Sequence, residues 1–346
     1  MGQFGVGQGV TRIEDLRLLR GEGRYMDDVN LDGQAHAVFV RSPHAHAEIM
    51  GIDTEDAAAI EGVLGIYTIA DLEADGIGNI PCLAPMQGID GLPARQPPRP
   101  ALAKSRVRHV GEAVVMVVAQ TRSAAEEAAE LVMVDYEPLP AVAGTAEALT
   151  PAAPQLHEAA PGNLALHWRQ DNGGDVEQAF AQAAKVARLD LVNNRLVVNS
   201  LEPRGALGDF DQESGRFTLI TGSQGIFRLK SQLCEQILNI PEEKLRIITP
   251  DVGGGFGMKI FCYPEQVCCL FAARRLGRAV KWMATRSESF QTDTQGRDHV
   301  TTAEMALDAS GRFLGLRVRT IANLGAYLSN FGPYIPTGAS TQMFTG

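Results

Sequence analysis

Residues 251–259, DVGGGFGMK, place four glycines within five positions around one phenylalanine. They follow a β-branched run and precede a helix-like segment, an order that can turn free backbone N–H groups toward an anion. Two phosphate-binding spacings can be tested on them. A G-x-G-x-x-G dinucleotide fingerprint counted from Gly253 needs glycine where Met258 stands, and counted from Gly255 it needs glycine where Ile260 stands. A P-loop accepts Lys259 but not the residues on either side of it. Both phosphate readings fail at named positions. A tight turn remains open, because clustered glycines allow positive φ and close approach of a ligand to the backbone. Phe256, fixed between glycines, favours a wall or platform for a flat ligand over a bare turn.

Other residues carry chemistry only in particular surroundings. Glu202, in LEPRG, is a carboxylate that can act in catalysis, but beside Pro203 and Arg204 it reads as an ion pair or turn residue. His44 and His46 stand two apart, as on one strand face. With no third ligand nearby they read as structural. Arg297 and His299 can contact a phosphate, with structural pairing favoured. Five cysteines (82, 234, 262, 268 and 269) match no zinc, disulfide or iron–sulfur spacing and read as small buried apolar residues. FGVGQG near the start has no strand ahead of it and reads as a packing arm.

These residues sit on a chain of 346 residues, enough for about two domains. Hydrophobic residues make up 45% and charged residues 21%, so a sizeable core is assured. A formal charge of −10 argues against nucleic acid or an anionic membrane as partner. No apolar run reaches the ~18–20 residues of a membrane span, and the first residues lack a signal-peptide pattern, so cytoplasm is expected.

The elements that must position the candidates follow from pattern. Residues 34–40, 62–68 and 111–119 read as strands. A helix is expected after Ser123, with Ser123 and Glu126 as a capping box, running into a strand toward residue 138. Residues 141–162, rich in Pro, Ala and Gly, read as a linker. Beyond it, a helix opens near Asp175 and turns into a strand. Residues 215–223 form a strand, 227–240 an amphipathic helix stopped by Pro241, and the EKLRIITPDV run a strand into the glycine cluster. Then comes a helix with Pro264 at its first position and Gly277 past its end, a strand over RAVKWMATR, and a hairpin turning at DASG. The last residues, YIPTGASTQMFTG, close no element, and the chain reads as stopping partway through a fold.

VGGGFGMK resembles the G-G-G-F-G-x-K motif of the molybdenum hydroxylases, the xanthine dehydrogenase and aldehyde oxidase family. Further stretches resemble the same family in the same order. RIEDLRLLRGEGRYMDDV is similar to the N-terminal entry of bacterial large subunits of the carbon-monoxide-dehydrogenase-like type. VRSPHAHAEI, HVGEAVVMVVA and VDYEPLPAV resemble its small hammerhead domain. NNRLVVNSLEPRGALGDFD, TGSQ and RSESFQTDTQGRDH resemble the start of its molybdopterin-binding region. The resemblance covers essentially the whole chain and the N-terminal half only of a large subunit. It implies an α+β fold: a hammerhead-type α/β domain over residues 1–140, the linker 141–162, and an incomplete molybdopterin-binding α+β domain over 163–346.

The resemblance also implies function. Such enzymes hydroxylate a C–H carbon of an aldehyde or N-heterocycle with water, at molybdenum held by molybdopterin, in bacteria usually its cytosine dinucleotide form. Electrons leave through 2Fe-2S and FAD groups on a small iron–sulfur subunit and a medium FAD subunit. Position by position, Gln224 matches the glutamine beside the metal's oxo group. Phe256 and Gly257 match the pair lying against the metal end of the pterin, and Gly254 and Gly255 shape that loop. Ile260 matches a substrate-pocket position that is glutamate in xanthine-oxidising members and apolar in aldehyde oxidases, which points away from xanthine. No direct metal ligand is expected. Large subunits of the family run to about double this length. The absent part carries the general-base glutamate and an arginine–glycine loop, and in carbon monoxide dehydrogenases a cysteine on that loop. The chain is therefore expected to need a C-terminal half, attached or separate, and to have no turnover alone. Two other readings stand beside this one. A nicotinamide or flavin enzyme fails on spacing and lacks an acidic residue in the downstream RRLGRAV. A non-catalytic or truncated relative would keep the fold without a complete site.

Overall fold

The computed structural model describes residues 7, 9–171 and 174–339. Most of FGVGQG and the end of YIPTGASTQMFTG lie outside the described residues. The fold is α+β. Up to residue 138 it forms strands β1 (Ala35–Arg41), β2 (Ala47–Asp53), β3 (Val63–Tyr67), β4 (Arg106–Val107), β5 (Ala113–Ala119) and β6 (Met133–Pro138). Beyond residue 184 it forms β7 (Lys185–Asn193), β8 (Gly205–Asp211), β9 (Arg216–Thr221), β10 (Leu245–Ile248), β11 (Val280–Met283), β12 (His299–Leu307) and β13 (Phe313–Ala322). The helices are α1 (Asp15–Leu19), α2 (Glu55–Ala58), α3 (Ile69–Ala74), α4 (Arg122–Leu131), α5 (Asp175–Ala181), α6 (Ile226–Gln232), α7 (Pro264–Leu276) and α8 (Arg286–Thr292). Residues 141–162 hold only irregular chain and two single 3-10 turns.

One seven-stranded sheet, in the order β10-β9-β8-β11-β1-β5-β3, draws strands from both sides of residues 141–162. Its joint is the parallel pairing of β1 with β11, where Ala35 lies opposite Val280 and His36 opposite Lys281. β5 explains why this sheet is central. Its run AVVMVVA is buried at every position. Met116 and Val118 face the cluster that contains α7, while Val115 and Val117 face the cluster that contains Ala128 of α4. An unbroken apolar run fits a strand with both faces covered. α7 lies across the sheet with Glu265 through Ala273 all buried. Fully burying side chains such as its Leu270 and Phe271 contributes ~1.5–3 kcal/mol each. Pro264 at its first turn and Gly277 in the left-handed conformation, φ 59°, bound it as the pattern requires.

Two three-stranded sheets complete the fold. β2 pairs with β4 and β6, and the hairpin β12–β13 takes β7 on its outer side. The DASG turn is closed by Asp308, whose carboxylate accepts the backbone N–H groups of Ser310 and Arg312.

Three local expectations are corrected. Thr121, not Ser123, caps α4: its side chain accepts the Ala124 N–H, and Glu126 pairs with Arg122 within the helix. The amphipathic segment 227–240 is not one uniform helix, since α6 passes at Leu233 into a wider π-helical turn through Leu238. Asn239, at φ 53°, then ends it before Pro241. His44 and His46 lie in the turn between β1 and β2 rather than on a strand.

Candidate functional site

The glycine cluster leaves β10 and returns through a single 3-10 turn, Met258–Ile260, before α7 begins. α7 therefore does not start at the glycines. The Tyr263 N–H at its N-terminus is already accepted by Gln266 Oε1 at 3.0 Å. This geometry gives the loop no helix N-terminus for a phosphate, in keeping with the failed spacings.

The glycines are explained by what they touch. Gly254 and Gly257 sit at φ 100° and 86°, where an L side chain is strained. At Gly255, an added Cβ would lie 2.5 Å from the Gln224 side-chain carbon Cδ. Gln224 and the loop are thus in direct contact. The Gly257 N–H donates to Gln224 Oε1 at 2.9 Å, and the Gln224 N–H donates to the Lys259 carbonyl at 3.0 Å. Because a backbone N–H can only donate, the amide oxygen must face Gly257 and the amide NH2 must face away from it. Among the described residues no hydrogen bond from that NH2 is formed. Phe256 stands beside it with 77% of its surface exposed and a φ of 49°, an unusual backbone for an aromatic residue. Strained backbone of this kind clusters at ligand clamps. Four of the expected residues, Gln224, Gly255, Phe256 and Gly257, are therefore brought to one exposed edge with Gly254 shaping the turn. The Ile260 side chain lies near Gly225, the residue after Gln224. It is partly buried and packs against the cluster of Met258, Phe261 and Tyr263.

Both flanks of the loop are pinned by carboxylates. Glu202 lies under it, with Oε2 accepting the Gly253 N–H at 2.8 Å and the Lys259 ammonium at 2.7 Å. Lys259 is 3% exposed and also donates to the Glu202 carbonyl at 2.9 Å. Glu202 is thus the ion-pair residue its sequence context favoured, and Lys259 faces a carboxylate rather than a phosphate. Asp251, at the entry to the loop, accepts both Arg17 nitrogens at 2.7 Å. That fork, with the Arg24 N–H, holds its carboxyl down at about 2. Sequence reading missed the roles of Arg17, Asp251 and Lys259. The available signal was the charge at each end of DVGGGFGMK.

Behind the loop lies a buried ion network. Arg204 donates to Glu265 at 2.9 Å, to Asp293 at 2.6 Å and to the Thr292 hydroxyl at 2.7 Å, over the Tyr263 ring at 3.7 Å. Arg41, from β1, donates to the other Glu265 oxygen at 2.8 Å and to Glu288 at 2.9 Å. Burial alone would raise the Glu265 carboxyl, but Arg204 and Arg41 outweigh it and hold it at about 2.

The remaining candidates lie elsewhere. His46 meets the Pro140 carbonyl at 2.8 Å, and His44 stacks edge-on to Tyr136. His299 opens β12, where burial lowers its pKa. Neither it nor Arg297 hydrogen-bonds to Gln224 or the glycine loop among the described residues. All five cysteines are buried and free of disulfides, and burial raises each thiol pKa. Among the described residues no cluster of three or more His, Cys, Asp or Glu is placed to hold a metal, and no helix is long and apolar enough to cross a membrane.

Comparison with known proteins decides the family. The profile of the molybdopterin cofactor-binding domain matches residues 156–346, more than half of the chain. The chain belongs to the xanthine dehydrogenase and aldehyde oxidase family of molybdenum hydroxylases. The profile of that family's a/b hammerhead domain matches residues 20–140. The chain is 36% identical over 322 residues to the nicotine 6-hydroxylase large subunit of Paenarthrobacter nicotinovorans, covering 93% of this chain and 38% of that one. It is 34% identical over 336 residues to the carbon monoxide dehydrogenase large chain of Afipia carboxidovorans, covering 93% and 40%. The crystal structure of quinoline 2-oxidoreductase from Pseudomonas putida 86 superposes with a TM-score of 0.83 at 35% identity, covering 93% of this chain and 40% of that one. The chain thus spans about two fifths of the length of these two curated relatives.

Proposed function

We propose that this chain supplies one wall of the active site of a molybdenum hydroxylase that hydroxylates a C–H carbon of an N-heterocycle or aldehyde with water. The observation that carries this reading is the Gln224–Gly257 hydrogen bond, which sets an outward-facing amide donor beside an exposed aromatic ring. The residues fit the group. Filling the Gly255 cradle with a Cβ would displace Gln224, and Phe256 offers a bare ring face at the same edge. When bound, molybdenum–molybdopterin, in our reading its cytosine dinucleotide form, activates water and accepts the substrate's two electrons.

In this chain Gln224 Nε2 orients the metal end of the cofactor, a neutral donor beside a ligand sphere. Phe256 and Gly257 lie against the pterin, and Gly254 and Gly255 keep the backbone close. Ile260 contributes to an apolar pocket wall that cannot hydrogen-bond a purine, which points away from xanthine as substrate. Two of the similar proteins are named for nicotine and quinoline, both N-heterocycles. Glu202 is not the general base, because its carboxylate is held by Lys259, Gly253 and Met26. The base and the facing wall come from the region of the longer relatives that this chain does not match. Electrons pass to 2Fe-2S and FAD groups on partner subunits.

The test is turnover of the purified chain with aldehydes, quinoline-type heterocycles and a dye acceptor, alone and with its complementing partners. The reading predicts turnover only with the partners. Turnover with stoichiometric molybdenum in the chain alone would overturn the division of the site. No turnover in a complete complex holding molybdenum would overturn the substrate class.

A further inference from the structure

Arg17, Arg24 and Met26 are attached to the glycine loop and its flanks by polar bonds. Arg17 forks onto Asp251 with two 2.7 Å bonds. The Arg24 N–H donates to Asp251 Oδ2 at 2.7 Å, and the Asp251 N–H donates back to the Arg24 carbonyl at 2.9 Å. Two residues on, the Met26 N–H donates to Glu202 Oε1 at 3.0 Å, while Glu202 Oε2 holds Gly253 and Lys259. Asp251 and Lys259 are the two ends of the loop, so residues 17–26 reach its entry directly and its exit through one carboxylate.

Apolar packing accounts for one end of this placement and not the other. At the far end Met26 is fully buried against Leu207, Ile220 and Ala279, but at the Arg17 end α1 buries none of its residues, and Ile13, Leu16 and Leu19 are all exposed. A fork of two charge-assisted bonds fixes orientation as well as distance, which a single ammonium cannot do. Glycine-rich backbone, in turn, has the most conformational freedom to lose and needs restraint at its ends to keep one shape.

We propose that Arg17–Met26 is a positioning clasp for the glycine loop, with Arg17 and Asp251 fixing its entry and Glu202 and Lys259 its exit. The clasp holds Phe256 and Gly257 in register with Gln224. Arg17 is a positioning residue that meets neither substrate nor cofactor. The consequence for the cofactor rests on the function proposed above, whereas the clasp itself rests on the contacts alone.

Hydrogen exchange of the full chain, followed by mass spectrometry, tests it. Arg17→Gln should speed exchange in the peptide spanning 250–258 by on the order of tenfold, leaving β5 and α7 unchanged. Arg17→Lys, which keeps the charge but not the fork, should fall between, and Asp251→Asn should reproduce Arg17→Gln from the other partner. Unchanged exchange over 250–258 in both the Arg17→Gln and Asp251→Asn variants, or an equal rise in β5 and α7, would overturn the clasp. Pterin content of the same variants, purified with their partners, separates the two readings. Faster exchange with reduced pterin supports both. Faster exchange with wild-type pterin leaves the clasp standing and removes the loop from the cofactor site.

Discussion

The Gln224 side-chain oxygen accepts the Gly257 N–H at 2.9 Å across 33 positions of sequence, and that bond turns the amide donor of Gln224 outward. Gln224→Glu separates the two roles of this side chain. A carboxylate can still accept from Gly257 but cannot donate. The variant should keep the exchange protection of Gly257 while turnover of the complete enzyme falls, by about 10²–10³-fold if this donor matters as much as an oxyanion-hole donor. Equal turnover in the two proteins would remove Gln224 from the chemistry.

The glycines should respond differently to alanine. At Gly257 an added Cβ meets nothing within 4 Å, so only the φ of 86° opposes it. Gly257→Ala should cost about 1–2 kcal/mol of backbone strain in urea melts. At Gly255 the Cβ collides with Gln224 at 2.5 Å, so Gly255→Ala should move the Gln224 amide. Because this edge is exposed, the melting curve should change little while pterin retention is lost.

Glu265 joins β1 to the second half of the chain through Arg41 and Arg204. Glu265→Ala would leave two buried guanidinium groups short of a carboxylate. Removing one partner of a buried pair costs about 3–5 kcal/mol. Chemical denaturation of the full chain checks this, and a loss below ~1 kcal/mol would contradict the network's role.

Acid should act through the depressed carboxyls. Glu265 and Asp251 are both held at about 2 in the folded chain. Their ordinary values in an unfolded chain are about 4.3 and 3.9. A depressed folded pKa contributes stability that is fully present above the unfolded value and disappears as pH falls through the folded one. Stability from these two groups should therefore be constant above about pH 5 and fall steeply toward pH 2. In Glu265→Gln that acid slope should flatten.

All five thiols are buried with raised pKa, so the thiolate that reacts with alkylating agents is scarce. Iodoacetamide at pH 8 should label none of the five in the folded chain and all five in urea. Rapid labelling of Cys262 in the native state would contradict its place beside the loop turn.

Local pattern carried much of the fold. α7 was legible because Pro264, an apolar run and Gly277 are contiguous, and β5 because a run buried on both faces is unbroken. The parallel joint of β1 with β11 was not legible, since Ala35 and Val280 carry no mark of each other. The cap of α4 was misplaced because Thr121 and Ser123 offer equivalent hydroxyls, and only the backbone path selects one. The GGGFG loop stood out by its own residues, Gln224 entered only through family resemblance, and the structure sets the two in contact. The clasp was invisible for a different reason. Arg17 and Asp251 stand 234 positions apart, and nothing about an arginine in a polar segment specifies its carboxylate.

Molybdenum and pterin measured together test the central claim most directly. The chain would be purified with its partners from cells able to make the cofactor, and metal content compared with pterin released by oxidation. The account predicts near-equal molar amounts of both in the wild-type complex and loss of both in Gly255→Ala at unchanged fold. A folded, complete wild-type complex containing neither, or a Gly255→Ala complex retaining both in full, would contradict it.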